Sequence, residues 1–157
     1  IYRDAASGEV VARIPVGLRP RDIAFTSDGK RAFVSAEIDG AVSVIDVGSS
    51  RVVATITLPK GSRAMGVVVS PDGRRLYVSN GRARTISVVD IETLAVEGSV
   101  LVGERPWGIA LAASGRKLYS ANGPGNDVTV VDTETMTVLK RIPVGTIPWG
   151  VAVGPKP

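Results

Sequence analysis

Three arginines recur at nearly equal intervals along the chain, Arg19, Arg63 and Arg105, 44 and 42 residues apart. Two positions after them come Arg21, Met65 and Trp107, and Trp149 continues that series two positions after Ile147. Arg82 and Arg84 add two guanidinium groups in the short stretch NGRAR. Guanidinium groups make charge-assisted, fork-shaped contacts with carboxylates and phosphates, and indole rings offer flat faces for stacking and cation–π contact. Brought together, this set suits an anionic ligand with an aromatic or planar part. Asp22 joins it by position, because its counterparts are Gly66, Gly108 and Gly150; an acid there either neutralises Arg21 or touches the ligand. Each feature also has a structural reading, in which arginines solvate loops and tryptophans pack between adjacent repeats.

The chemistry that is missing narrows the field further. The chain has no histidine, which removes the commonest general base and metal ligand, and no cysteine, which removes disulfides and thiolate nucleophiles. No Ser, Lys or Tyr sits beside an identifiable base, so no catalytic residue is assigned within this segment. The Gly-rich NGPGN at Asn122–Asn126 lacks the lysine of a phosphate-binding P-loop. Glu37 and Asp39 in one loop are a thin suggestion of a Ca²⁺ site; no cofactor or metal is expected. Nineteen Lys+Arg against fifteen Asp+Glu give a net charge of +4, a mild bias whose placement matters more than its size. No run approaches the roughly 18 apolar residues of a membrane span.

The elements that position these residues are repeats. Asp4, Asp46, Asp90 and Asp132 lie 42, 44 and 42 residues apart, each followed six residues later by Val10, Val52, Val96 or Val138. A period near 42 built of strands points to a β-propeller blade. Each unit holds four strand-like segments, A to D, rich in Val, Ile, Thr and Tyr and bounded by Gly, Pro, Asp and Asn. In the middle unit these are Ala64–Ser70, Arg75–Ser79, Thr85–Asp90 and Val96–Val102. No window keeps a 3.6-residue period, so the class is all-β. Between A and B stand SDGK, PDGR and ASGR, with Gly29, Gly73 and Gly115 supplying positive φ. Between C and D each repeating Asp precedes a hydroxyl by three residues (Ser7, Ser49, Thr93, Thr135), the pattern of an Asx turn.

The expected organisation is a partial ring of about 3.5 blades: strands C and D of a first blade at 1–15, whole blades at 20–58, 64–102 and 106–144, and strand A of a last blade at 148–153. Fifteen strands do not close a ring. The chain opens on Ile1 inside a unit, so we expect a piece of a longer protein, or a half that completes itself by pairing, with apolar blade faces that drive self-association. The A–B and C–D turns fall on one face of the disc and the D–A and B–C loops on the other. The second face varies from unit to unit, which is where binding usually resides. Strand A lines the central channel, so Arg19, Arg63 and Arg105, with Arg21, Trp107 and Trp149, ring its mouth beside Arg82 and Arg84. Phe33, Tyr77 and Tyr119 share one strand-B position and are expected in the core.

SPDGRRLYVSN (70–80), ISVVDIET (86–93), NDVTVVDTETMTVLKRIPVG (126–145) and IPWGVAVGPKP (147–157) together resemble the YVTN family of β-propellers, named for its strand B, here YVSN at 77–80 and YSAN at 119–122. The ending, with SAEIDGAVSVIDV (35–47), is most similar to the C-terminal half of the propellers called PQQ-dependent-catabolism-associated. The resemblance implies an exported, periplasmic or secreted, seven-bladed protein whose ring closes by adding an N-terminal B-C-D segment to a C-terminal strand A. The chain departs from that pattern in length and at Phe33-Val34-Ser35-Ala36.

The functional expectation is a non-catalytic binding platform for an unknown protein or anionic small molecule, working through the D–A/B–C face. One alternative is a lactonase- or lyase-type propeller enzyme with its catalytic groups outside this segment. Another is single-stranded nucleic-acid binding through the arginines and tryptophans.

Overall fold

A computed structural model describes residues 1–154. Three four-stranded antiparallel sheets follow one another, each a simple meander in sequence order. The first blade is β3 (Pro20–Phe25), β4 (Arg31–Ala36), β5 (Ala41–Asp46) and β6 (Arg51–Thr57); the second is β7 (Ala64–Val69), β8 (Arg75–Asn80), β9 (Thr85–Asp90) and β10 (Val96–Leu101); the third is β11 (Pro106–Leu111), β12 (Lys117–Asn122), β13 (Asp127–Asp132) and β14 (Thr137–Pro143). They are preceded by a two-stranded ladder of β1 (Tyr2–Arg3) and β2 (Val10–Ala12). The architecture is all-β, with no helix among the described residues, and each blade supplies strands A to D of a propeller. The strand expected at 148–153 is a correction. That segment joins no ladder, because among the described residues there is no strand B for it to pair with; fourteen strands form where fifteen were expected.

Four left-handed positions per blade make the meander possible. Gly29, Gly73 and Gly115 turn A into B with φ of 68–72°. Ser50, Leu94 and Met136 do so between C and D, and Gly40, Arg84 and Asn126 at the entry to strand C. The fourth set, before strand A, belongs to the candidate site. The turn carboxylates act as the spacing implied: Asp90 Oδ1 accepts the Thr93 N–H at 2.7 Å and the Thr93 hydroxyl at 2.9 Å, and Asp72 Oδ1 accepts the Ser70 hydroxyl and the Arg74 N–H.

These bonds favour the ionised form. The largest cause is the backbone N–H of Ser7, Thr93 and Thr135 for Asp4, Asp90 and Asp132, and the hydroxyl of Thr26, Ser49 and Ser70 for Asp28, Asp46 and Asp72; all six carboxyls are held below 3.8. A depressed folded-state pKa stabilises above the unfolded value and is lost as pH falls through the folded value. Stability is therefore expected to be flat near neutrality and to fall below about pH 4, with Asp90→Asn reducing the drop; urea midpoints across that range check it, and an unchanged midpoint at about pH 2.5 contradicts it.

Apolar residues pack between blades. Phe33, Val42, Val44, Ile56 and Leu58 of the first blade meet Ala64, Val67, Leu76, Val78 and Val89 of the second. Tyr77, Ile86, Val88 and Val100 of the second meet Leu118 and Val131 of the third. Phe33 and Tyr77 are buried as expected, but Tyr119 is only partly buried, since no fourth blade covers it among the described residues. At the other end Ile23 and Phe25 of β3 remain about half exposed, at 48% and 47%. They line a 470 Å³ apolar slot with Ile1, Ile14 and Val16.

Near the axis the strands A are joined by a relay. The Gly66 N–H donates to Ser79 Oγ (2.8 Å), whose hydroxyl donates to the Trp107 carbonyl of the next blade (2.9 Å). Asp22 N–H, Ser35 Oγ and the Met65 carbonyl repeat the arrangement one blade earlier. Ala121 has no hydroxyl at the equivalent place in the third blade, and there the Gly108 N–H bonds directly to the Trp149 carbonyl at 3.2 Å. The terminal segment is thus seated against β11 even without a ladder.

Candidate anion-binding mouth

The fourth left-handed set is Arg19, Arg63, Arg105 and Ile147, with φ of 58, 55, 49 and 52°. Each arginine closes a D–A loop, and its carbonyl accepts the N–H of the first B–C loop residue: Glu37 to Arg19 at 3.1 Å, Gly81 to Arg63 at 3.0 Å, Gly123 to Arg105 at 3.4 Å. A non-glycine residue in this conformation costs about 1–2 kcal/mol. The two loops of each blade are thereby clamped together, and the guanidinium groups project from anchored backbone.

A register shift follows at once. The pairing of strands A and B slips between Pro20 and Ile23, between Ala64 and Val67, and between Pro106 and Ile109. The displaced residues are Arg21-Asp22, Met65-Gly66 and Trp107-Gly108, the positions singled out by sequence superposition. Bulges re-aim side chains at strand ends, and here the first residue of each pair packs on the B–C loop of its own blade. A Cβ on Gly123 would run into the Trp107 ring, and one on Gly81 would lie 3.2 Å from Met65 Cγ. In the first blade Arg21 faces Glu37, with Nε 3.5 Å from Oε2. A bulky neutral side chain thus sits over glycine, and the arginine over glutamate.

Glu37 is the hub that superposition passed over. Its Oε2 also lies 3.2 Å from Arg19 Nε, yet this buried oxygen receives no aligned hydrogen bond from either arginine. The signal was present: Glu37 occupies the place of Gly81 and Gly123, an acid where the other blades have no side chain. Arg84 pairs with Glu104 at 2.8 Å. Arg63, Arg82 and Arg105 form no ion pair among the described residues.

All these groups line two contiguous depressions. The larger, 570 Å³, is bounded by Arg19, Arg63, Arg82, Arg84 and Arg105 with Glu37 and Glu104, a net charge of +3 from five arginines and two glutamates. The smaller, 170 Å³, shares Arg63, Arg82, Arg105 and Glu37 and adds Arg21, Met65, Trp107 and Trp149. The indoles of Trp107 and Trp149 are 4.4 Å apart at a 33° tilt, and the Arg21 guanidinium carbon is 5.8 Å from the Trp149 ring centroid. Trp107 is pinned on Gly123, whereas Trp149 is 64% exposed.

Asp22 stands apart from this set. It neither pairs with Arg21, whose charge is taken by Glu37, nor lines either depression. Its Oδ2 accepts the Val67 N–H of the second blade at 3.0 Å and Oδ1 its neighbour Ile23 N–H at 2.9 Å, so it bridges two strands A where the other junctions bring backbones into contact. The Ca²⁺ suggestion also fails on geometry: Glu37 is held by two arginines and Asp39 Oδ2 accepts the Leu18 N–H at 2.7 Å. No group of three acidic residues suitable for a metal occurs among the described residues.

Residues 4–144 match the family model described as lactonase, 7-bladed beta-propeller. Among solved structures, hydrazine synthase from Kuenenia stuttgartiensis superposes with a TM-score of 0.77 at 26% identity, over 90% of this chain and 41% of that one. A putative 6-phosphogluconolactonase from Bacteroides fragilis superposes with a TM-score of 0.75 at 26% identity, over 85% and 41%. A functionally unknown protein from Desulfotomaculum acetoxidans shares the fold at 20% identity, with a TM-score of 0.75 over 86% and 45%. The chain thus spans less than half the length of these structures. A search of curated proteins gives no match.

Proposed function

Since the chain belongs to the seven-bladed β-propeller lactonase family, we propose that it forms part of a larger ring and supplies the wall of a ligand site that captures an anionic small molecule at the channel mouth. The observation that carries this reading is the trio Arg63, Arg82 and Arg105, without carboxylate partners among the described residues, in a depression that opens onto a tryptophan pair. Guanidinium forks left unpaired on a rigid scaffold are matched to carboxylate or phosphate oxygens, and 570 Å³ is within the usual range of small-molecule sites, about 300–1,000 Å³.

Binding rather than catalysis is the role we assign to this segment. The carboxylates of this face are engaged: Glu37 and Glu104 with arginines, Asp39 with a loop N–H, and Asp127 with Asn122 and Arg141. None is free to act as a general base. The family match favours a second reading, in which the same wall holds the substrate of a lactone hydrolase whose catalytic groups come from other blades. Within the family we place the chain in the YVTN group on the strength of YVSN and YSAN, which carries the expectation of an exported protein.

Calorimetric titration of the full-length protein with inorganic phosphate tests the anion site. Binding is expected, and it weakens as salt rises from about 20 mM to about 0.5 M because exposed charges are screened. Salt-independent or absent binding contradicts the proposal. Hydrolysis of lactones by the full-length protein would favour the second reading.

A further inference from the structure

We propose that the anionic part of the ligand is a diphosphate, whose terminal phosphate sits on Arg63, Arg82 and Arg105 and whose second phosphate takes Arg84 over from Glu104. The inference rests on the anion-binding reading above and narrows it. Arg63, Arg82 and Arg105 border both depressions, whereas Arg84 and Glu104 border only the larger one. The trio therefore stands at the join. The larger depression is walled by five arginines, two glutamates, Gly81 and Pro124, so among the described residues the proline ring is its one apolar side chain. What fills it is polar. A single phosphate group brings about two negative charges to walls whose net charge is +3, and it is far smaller than 570 Å³.

Arg84 is held firmly at its backbone and loosely at its head group. Its φ is 60°, its N–H donates to the Asn80 carbonyl at 2.9 Å, and its carbonyl accepts the Val102 N–H at 2.8 Å. Its guanidinium meets Glu104 at 2.8 Å, but the two side chains are 58% and 51% exposed. A pair so open to water adds little to stability. A phosphate can therefore replace the Glu104 carboxylate at small cost, while the backbone that carries Arg84 stays where it is.

Spacing and valence select phosphates joined to one another. Arg82 and Arg84 are two residues apart, so their Cα atoms lie within about 7 Å. Two anionic groups sharing a bridging oxygen suit that separation better than groups at the two ends of a long molecule. Phosphate also answers the trio better than carboxylate does, because it offers three oxygens to three guanidinium forks.

The test is calorimetric titration of the full-length protein with inorganic phosphate and inorganic pyrophosphate, repeated on the double variant Arg84→Gln/Glu104→Gln. This variant removes one charge of each sign, leaving four arginines against one glutamate, so the net charge of the larger depression remains +3. Pyrophosphate should bind the wild type roughly thirtyfold tighter than phosphate. In the double variant that preference should fall about tenfold, the worth of one charge-assisted contact. Glu104→Gln alone frees Arg84 and should raise the preference about threefold, within the range of an exposed ion pair. Equal affinity of the wild type for the two ions overturns the diphosphate and leaves the anion site standing. So does a preference that survives the double variant, since it then comes from net charge alone, or one that fails to rise in Glu104→Gln. Failure of both ions to bind removes both readings.

Discussion

Gly66→Ala lowers the unfolding free energy by about 3 kcal/mol, a large effect for a single methyl group. A Cβ at Gly66 would stand 2.7 Å from the Trp107 carbonyl oxygen, 3.2 Å from Ile109 N and 3.3 Å from Ile109 Cγ1. Two of these are backbone atoms of β11, held by the Ser79 relay and the β12 ladder, so neither can swing aside like the end of a flexible side chain. Relief requires the second and third blades to separate, which opens the cluster of Tyr77, Ile86, Val88, Leu118 and Val131. Gly98→Ala is the control: it too lies in a strand, but nothing is within 4 Å of its Cβ and its φ is not positive, so its effect should be within about 0.5 kcal/mol. Urea unfolding of both variants decides the matter. A Gly66→Ala cost no larger than that of Gly98→Ala would mean that the blades are not locked at the axis.

That lock also explains what could be read in the sequence. The spacing of Asp4, Asp46, Asp90 and Asp132 reports a short-range arrangement, an Asx turn closed within three residues, and such patterns survive in any context that permits the turn. The four-strand order follows because each hairpin is local. The superposition of Arg19, Arg63 and Arg105 holds for the same reason: equivalent residues of a repeat take equivalent backbone, down to φ values within nine degrees of one another, 58, 55 and 49°.

What resisted was contact between units or between loops of one unit. Asp22 looked like a partner for its neighbour Arg21, but in the bulge its carboxylate reaches Val67 in the next blade, which depends on the distance between two strands A. Residues 148–153 have the composition of a strand, yet a strand exists only with a partner, and none is available among the described residues. Glu37 became visible as the hub of the mouth only once Arg21, Met65 and Trp107 were seen to pack on Glu37, Gly81 and Gly123; each position alone is an ordinary loop residue.

Charge at the mouth gives the second large effect. Arg63→Gln combined with Arg105→Gln should weaken phosphate binding about a hundredfold, taking each charge-assisted contact at about 1.4 kcal/mol, near the lower end of its usual range because the site is open to water. Glutamine is uncharged and shorter than arginine but still polar, and it leaves the left-handed backbone and its carbonyl bonds to Gly81 and Gly123 in place. Neither arginine has an ion pair to lose among the described residues, so the unfolding midpoint should hardly move. Glu37→Gln should act in the opposite direction. It removes a negative charge from between Arg19 and Arg21, and one unit of charge at about 8 Å with an effective dielectric constant near 40 amounts to about 1 kcal/mol, a gain of roughly fivefold in phosphate affinity. The two measurements together are more demanding than either alone. A ligand held by shape or by the tryptophans would be indifferent to both substitutions, whereas an anion held by the unpaired trio must lose affinity with the first and gain it with the second. If affinity falls in both variants, Glu37 is a direct anchor of the anion's surroundings and not its electrostatic competitor, and the division of the mouth into a neutralised half and a cationic half is wrong.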